Sequence, residues 1–178
     1  MEHTDHQSHE MLSVATKLSN KKGYIILFNI FLAIIVASQI RVWYLGPFNS
    51  YLFMQTFMGF FFLVFGFFKA INWKVFAGSF GDYDLVARRL KAHAYAYPAI
   101  ELSLGAAFLL NYEPILINSI TLAIMTVGAI GVAKNLLAKN QVQCLCLGAI
   151  IKLPLSKISL FEDVIMGVMA LATLMRLI

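Results

Sequence analysis

Five long apolar segments alternate with polar connections along this sequence. Each has about the 20 residues that a helix needs to cross the hydrocarbon core of a bilayer. The segments lie at about residues 23–40, 51–68, 92–112, 114–133 and 160–178. Arg41, Lys69 and Lys134 each follow the end of a segment, and Pro114 stands where a first helical turn accepts proline. The pattern predicts an all-α, polytopic transmembrane bundle of five spans over residues 23–178, preceded by a polar, histidine-containing tail over residues 1–22.

The composition agrees with lipid as the solvent of these segments. Of the 178 residues, 60% are hydrophobic and 13% are charged, whereas about 25% of an average soluble domain is charged. A chain this apolar cannot bury its apolar surface in one core of this size. These values exclude a disordered chain and an ordinary cytosolic enzyme. They also exclude a nucleic-acid-binding domain, despite the net charge of +5.

The basic residues sort to one side of the predicted membrane. Of the 14 Lys and Arg residues, three lie in the tail, five between the second and third spans, and four between the fourth and fifth spans. Arg41 and Arg176 lie on the other side. Because basic connections stay in the cytoplasm, we expect a bacterial inner-membrane protein with a cytoplasmic N-terminus and a periplasmic C-terminus.

Cys144 and Cys146, separated by Leu145, are the only cysteines of the chain. Two thiols at this spacing can exchange electrons through a strained disulfide, or bind Cu(I) or Zn(II) as thiolates. Nearby Lys139 and Lys152 favour the thiolate form. A third interpretation is two buried thiols that act as small hydrophobic side chains. Because stable disulfides are rare in the cytoplasm, we expect transient redox chemistry or metal binding rather than a structural crosslink.

The polar tail carries His3, His6 and His9 at a regular spacing of three residues. Imidazoles at this spacing can collect Cu, Zn or Ni ions. The tail lies on the same predicted side as the cysteine pair. One alternative is therefore a soft-metal site made of Cys144, Cys146 and the three histidines, and a solvated tail is the other.

Glu101 lies well inside the third predicted span, where a charge is costly and indicates a functional site by default. His93, Tyr97 and Glu101 recur at every fourth residue and so share one helix face. Such a face can pass protons, bind a cation or hold a quinone headgroup. In the alternative, a protonated Glu101 serves only to join helices through a hydrogen bond. Its partner would then be a polar residue on another span, such as Gln55, Asn29 or Asn118.

Glu162 and Asp163 are adjacent carboxylates at the start of the fifth predicted span. Ser159 and Glu162 have the spacing of a capping box, and acidic residues suit the first turn of a helix. We therefore expect these residues to cap the helix rather than to take part in chemistry.

Several stretches of the chain resemble known membrane-protein families. Three of them resemble the DoxX-type membrane core, at residues 57–69, 83–85 and 94–105. Three others are similar to the MauE branch, the methylamine-utilisation membrane proteins, at residues 144–148, 152–156 and 160–163. The resemblance covers about residues 24–178 and leaves the histidine-bearing tail outside.

The resemblance implies a compact bundle, with a four-helix DoxX-like core and an additional N-terminal helix. It also implies a redox-associated accessory role in the maturation or disulfide formation of an exported, methylamine dehydrogenase-type partner. That task acts outside the cytoplasm, whereas the charge pattern places the cysteines inside.

Three hypotheses follow from the sequence as a whole. In the first, Cys144 and Cys146 are redox thiols, Glu101 and Tyr97 form a buried proton or quinone site, and the partner is an exported or membrane redox protein. Such a protein is an enzyme only if it acts as a membrane thiol-disulfide oxidoreductase. The others are a soft-metal handling protein, with Cu(I) or Zn(II) as its ion, and a non-catalytic structural membrane subunit.

Overall fold

A computed structural model describes residues 3–71, 73–83, 89, 91–137 and 156–177, with side chains from Gly23 onward for most of them. All regular structure in these ranges is helical. The helices are α1 (His3–Leu45), α2 (Ser50–Ile71), α3 (Trp73–Tyr83), α4 (Lys91–Leu109), α5 (Pro114–Leu137) and α6 (Ser156–Leu177). The all-α prediction is therefore confirmed for the described residues.

Within the described residues, three helices are long and apolar enough to cross a membrane: the Gly23–Leu45 part of α1, the whole of α2 and the whole of α5. They correspond to the first, second and fourth predicted spans. The other two predicted spans fall on α4 and α6, which bury Glu101 and Glu162 among their apolar residues. A helical membrane bundle is thus supported, and the count of five spans stays a prediction.

The surface of α1 fits a lipid environment. Ile25, Phe28, Leu32 and Val36 are exposed along the helix, as expected of side chains that face acyl chains rather than water. Two aromatic residues, Trp43 and Tyr44, are exposed near the end of the helix, and their ring centroids lie 5.8 Å apart. Amphipathic aromatic rings at such a position are typical of a membrane interface.

Two arginines hold helix ends together at this end of the bundle. Arg41 donates hydrogen bonds to Thr56 Oγ1 at 3.0 Å and to the carbonyl of Leu109 at 2.6 Å. A basic group there satisfies a carbonyl that the last turn of α4 leaves without a helical partner. Arg176 of α6 donates to Ser50 Oγ at 2.6 Å. The helix α1 continues past Arg41 to Leu45, and the side chain of Arg41 ties it to α2 and α4.

α2 and α4 run antiparallel and approach closely at glycines. A Cβ atom on Gly105 would lie 2.9 Å from the carbonyl oxygen of Gly59. Two helical turns farther along α2, a Cβ on Gly66 would lie 3.1 Å from the Cβ of Glu101. Small residues of this kind let helix backbones approach each other in membranes. The contact places Glu101 directly against α2, one turn from Lys69.

Aromatic and sulfur-containing side chains fill the core between the helices. Phe61 and Phe65 lie with ring centroids 4.4 Å apart, and Phe62 stacks on Phe108 at 5.9 Å. Met58 and Met166 are fully buried, as expected of flexible side chains that fill irregular gaps. This apolar core surrounds the few charged groups that the bundle encloses.

We expect Gly105→Ala to destabilise the bundle, because the added methyl group meets the backbone of Gly59, which moves only if α2 shifts. Overpacking of this kind costs about 1–3 kcal/mol. The matched control is Gly78→Ala in α3, where a Cβ meets nothing within 4 Å. Thermal unfolding in detergent micelles, followed by circular dichroism, should give a lower Tm for Gly105→Ala and no loss for Gly78→Ala. An unchanged Tm for Gly105→Ala would contradict the close approach.

Candidate functional site

A buried ion pair joins α2 to α4. Lys69 Nζ donates a hydrogen bond to Glu101 Oε1, and the two residues are 9% and 3% exposed. Removing two charges from water is costly, and their mutual attraction offsets this cost only when the geometry is good. Each residue of the pair is therefore the reason that the other can be buried.

The ammonium group of Lys69 also faces two aromatic rings. It lies 5.1 Å from the ring centroid of Tyr97 and 5.6 Å from that of Phe76, within the range of cation–π attraction. Phe76 belongs to α3, where it stacks on Phe80 at 5.0 Å, and Phe80 packs on Tyr97 at 4.5 Å. The short helix α3 thus forms an aromatic wall over the ion pair.

The polar face predicted for α4 is present in the structure. Tyr97 is buried, and its ring meets that of His93 edge to face, with centroids 5.8 Å apart. Pro98, which lies between Tyr97 and Glu101, is accommodated within the helix. Tyr97 and Glu101, the two residues predicted on this helix for a proton or quinone site, lie on the same side of α4 and face Lys69.

The prediction of Gln55, Asn29 or Asn118 as the partner of Glu101 is wrong. Asn118 Nδ2 donates to Gln55 Oε1 at 3.3 Å, and Asn29 is exposed. Gln55 precedes Lys69 by 14 residues on α2, which corresponds to about 21 Å along a helix axis. These amides therefore form a separate contact near the other end of the bundle.

Two more carboxylates come from α6. Glu162 is 7% exposed and interacts electrostatically with Lys69, Asp163 and Glu101. Asp163 packs against α5, with its Oδ2 atom 3.1 Å from where a Cβ on Gly128 would lie. The expected capping role is wrong, because α6 begins at Ser156 and has no acidic residue in its first turn. Glu162 lies one turn deeper and points into the bundle.

The ion pair, the aromatic rings beside it and the two carboxylates of α6 line one cavity of about 30 Å³. A cavity measured in this way holds a water molecule once it reaches about 10–15 Å³, whereas an engineered cavity that binds benzene measures about 150 Å³. The cavity therefore has room for water or a small ion and none for a quinone ring. Two buried oxygens, Glu101 Oε2 and Glu162 Oε1, have no hydrogen-bond partner within the described part of the chain. The polar lining consists of Lys69, Tyr97, Glu101, Glu162 and Asp163.

The other predicted site residues fall where the structure gives no side chains. Cys144 and Cys146 lie outside the described residues, as do the side chains of His3, His6 and His9. Among the residues that are described, no three His, Cys, Asp or Glu side chains are arranged to hold a metal ion. The redox-thiol and soft-metal hypotheses both stay predictions.

Sequence reasoning missed Lys69 and Glu162 as members of the site. Lys69 directly follows an apolar segment, which is the usual position of a lysine at the end of a membrane span. A buried Glu101, however, requires a cation close to it, and Lys69 supplies that cation. Glu162 matched the spacing of a helix cap. The sequence signal that the two residues share is a charged residue with apolar residues of the same helix on both sides of it.

The comparisons with known proteins point to one family. The model of the family described as methylamine utilisation protein MauE matches residues 48–176. No curated protein and no solved structure matches the chain. The matched range includes every residue that lines the cavity, as well as Cys144 and Cys146.

We expect Lys69→Met to destabilise the protein strongly, because it leaves buried carboxylates without their cation. Breaking a buried pair in this way costs about 3–5 kcal/mol. Glu101→Gln should cost less, since Glu162 remains to face Lys69, and Lys69→Met combined with Glu101→Gln should cost less than the sum of the two. The free energy of unfolding, measured by denaturant titration in mixed micelles, tests this order.

Lys134→Met is the matched control, because Lys134 is exposed on the last turn of α5. It should change the free energy of unfolding little. Strictly additive losses in the Lys69 and Glu101 variants would show that the two residues are not coupled.

Proposed function

This chain belongs to the MauE family of methylamine utilisation proteins, and on that premise we propose that it is a redox accessory protein of the bacterial inner membrane. Its task is to support the maturation or disulfide formation of a methylamine dehydrogenase-type partner. The single observation that carries the proposal is the buried cavity shared by Lys69, Glu101 and Glu162. Ionisable groups inside a membrane bundle are costly and mark ion or proton pathways.

The chemistry that we propose begins at Cys144 and Cys146. When their two thiols form a disulfide, they release two electrons and two protons. A quinone dissolved in the membrane accepts both electrons and both protons and becomes a quinol. The disulfide then oxidises a dithiol of the partner by exchange, which returns Cys144 and Cys146 to thiols. Each cycle therefore moves two protons for every two electrons.

The cavity residues would supply a path for these protons. Glu101 is held against Lys69, and Tyr97 packs beside them under the aromatic wall formed by Phe76 and Phe80. A carboxylate and a phenol beside a water-sized space can hand protons on without opening the bundle to bulk water. In this proposal, Glu101 and Tyr97 move protons, and the quinone ring binds elsewhere.

A groove between α5 and α6 has the room that the cavity lacks. Its volume is about 250 Å³, which exceeds the roughly 150 Å³ of a cavity that holds a benzene ring. Its lining is mostly apolar, and two of its residues, Met125 and Asp163, also line the buried cavity. A quinone ring in this groove would lie one side chain away from the proton path.

Thiol trapping in cells tests the redox role. Rapid alkylation should find the Cys144–Cys146 pair in both oxidised and reduced forms, and Glu101→Gln should slow its reoxidation after a pulse of reductant. Glu113→Gln is the matched control, because Glu113 is exposed in the turn between α4 and α5. A pair that is always reduced in the wild-type protein would rule out the redox role.

Labelling from each side of the membrane tests the proposed orientation. With five spans and a cytoplasmic N-terminus, a membrane-impermeant thiol reagent should reach Cys144 and Cys146 only from the cytoplasmic side, because basic connections stay there. The Cys144→Ser and Cys146→Ser double variant gives the background. Labelling from the cytoplasmic side places the proposed exchange before the partner is exported. Labelling from the periplasmic side alone would reverse the orientation and place the exchange after export.

A further inference from the structure

We propose that Glu162 carries an exchangeable proton in the buried cavity, with Lys69 as the fixed counter-charge and Glu101 as its ionised partner. The ligand of this site is a proton, held on Glu162 and connected to Glu101 through water. The inference deepens the proposed function, since the thiol cycle would draw on this proton. The site itself depends only on the described residues of α2, α4 and α6.

The first argument is charge balance. Within the described residues, Lys69 is the one cation that lines the cavity, and it faces the carboxylates of Glu101 and Glu162. The lining of α3 is aromatic, that of α5 is uncharged, and Tyr97 is the remaining titratable group on α4. Asp163 adds a third carboxylate, whose interactions include α5. Even without Asp163, two carboxylates exceed one ammonium, and a bound proton removes the uncompensated charge.

The second argument is hydrogen bonding. Glu101 Oε2 and Glu162 Oε1 are both buried, and neither has a donor within the described part of the chain. A carboxylate only accepts hydrogen bonds, whereas a protonated carboxyl also donates one. A proton on one of the two acids, with a water in the cavity, supplies the missing donors. Because unsatisfied buried acceptors are costly, the geometry favours this arrangement.

The third argument decides which acid holds the proton. Glu101 accepts the hydrogen bond of Lys69 through Oε1, and a charge-assisted bond of this kind stabilises the ionised carboxylate. Glu162 has no such bond to Lys69 among the described contacts. The proton therefore resides on Glu162. A metal cation is disfavoured at the same place, because the ammonium group of Lys69 would repel it.

Infrared spectroscopy of the full-length protein in lipid nanodiscs tests the site directly. The wild type should show the carbonyl stretch of a protonated carboxyl group that shifts in D₂O. Glu162→Gln should remove this band. Glu101→Gln should also remove it, because Lys69 and Glu162 then balance each other. Lys69→Met should strengthen it, and Glu113→Gln should leave it unchanged.

Three results would overturn the inference: no such band in the wild type, an unchanged band in Glu162→Gln, or a band that disappears when Na⁺ is added at constant pH. The wild-type measurement stands even if a variant fails to fold. The band should persist when Cys144 and Cys146 are both replaced by Ser. Thiols that never cycle in cells would refute the proposed function and leave this proton site intact, so the two failures are distinguishable.

Discussion

The contact between Lys69 and Glu101 is the constraint on which the rest of the bundle depends. Neither charge is stable alone in an apolar interior, so α2 and α4 must keep both groups within hydrogen-bond distance. The glycines of the two helices meet this requirement, because a Cβ on Gly66 would already lie 3.1 Å from the Cβ of Glu101. Close backbone approach and the buried pair therefore depend on each other. Phe76 of α3 and Tyr97 of α4 complete the arrangement with aromatic rings that attract the ammonium group.

The same pair explains why the cavity can do more than stabilise the fold. An ion pair that balances itself needs no further group, but Glu162 adds a buried acid beside it. In the proposed proton site, this surplus of acid over base is what allows a proton to bind and to leave. In the proposed redox role, such a group would pass on the protons that accompany the electrons where water is scarce. The proposed redox role and the proposed proton site thus meet at one set of side chains.

The sequence predicted those features that depend on a strong local signal. Apolar runs located the membrane-spanning part of α1, and they located α2 and α5, while Pro114 marked the start of α5. The position of Glu101 inside an apolar run predicted a buried charge, which the structure confirms. The partner of Glu101 could not be predicted in this way. A lysine that follows an apolar run has the same local pattern whether it lies at the interface or turns inward. Glu162 does not cap α6, because the helix begins at Ser156 and Ser159 already lies within it.

The family match and the proposed proton site both fall on α2–α6. The matched range begins at residue 48, after the end of α1. Within the described residues, α1 adds Leu27 and Ile34 to the apolar core and Arg41 to the helix ends, and none of its side chains lines the cavity. Three of the stretches that carry the resemblance to the DoxX and MauE groups, at residues 57–69, 94–105 and 160–163, instead contribute side chains to that cavity. Stretches of α2, α4 and α6 that are far apart in the sequence thus meet around a few buried charges. The helix α1 packs on the outside of this arrangement.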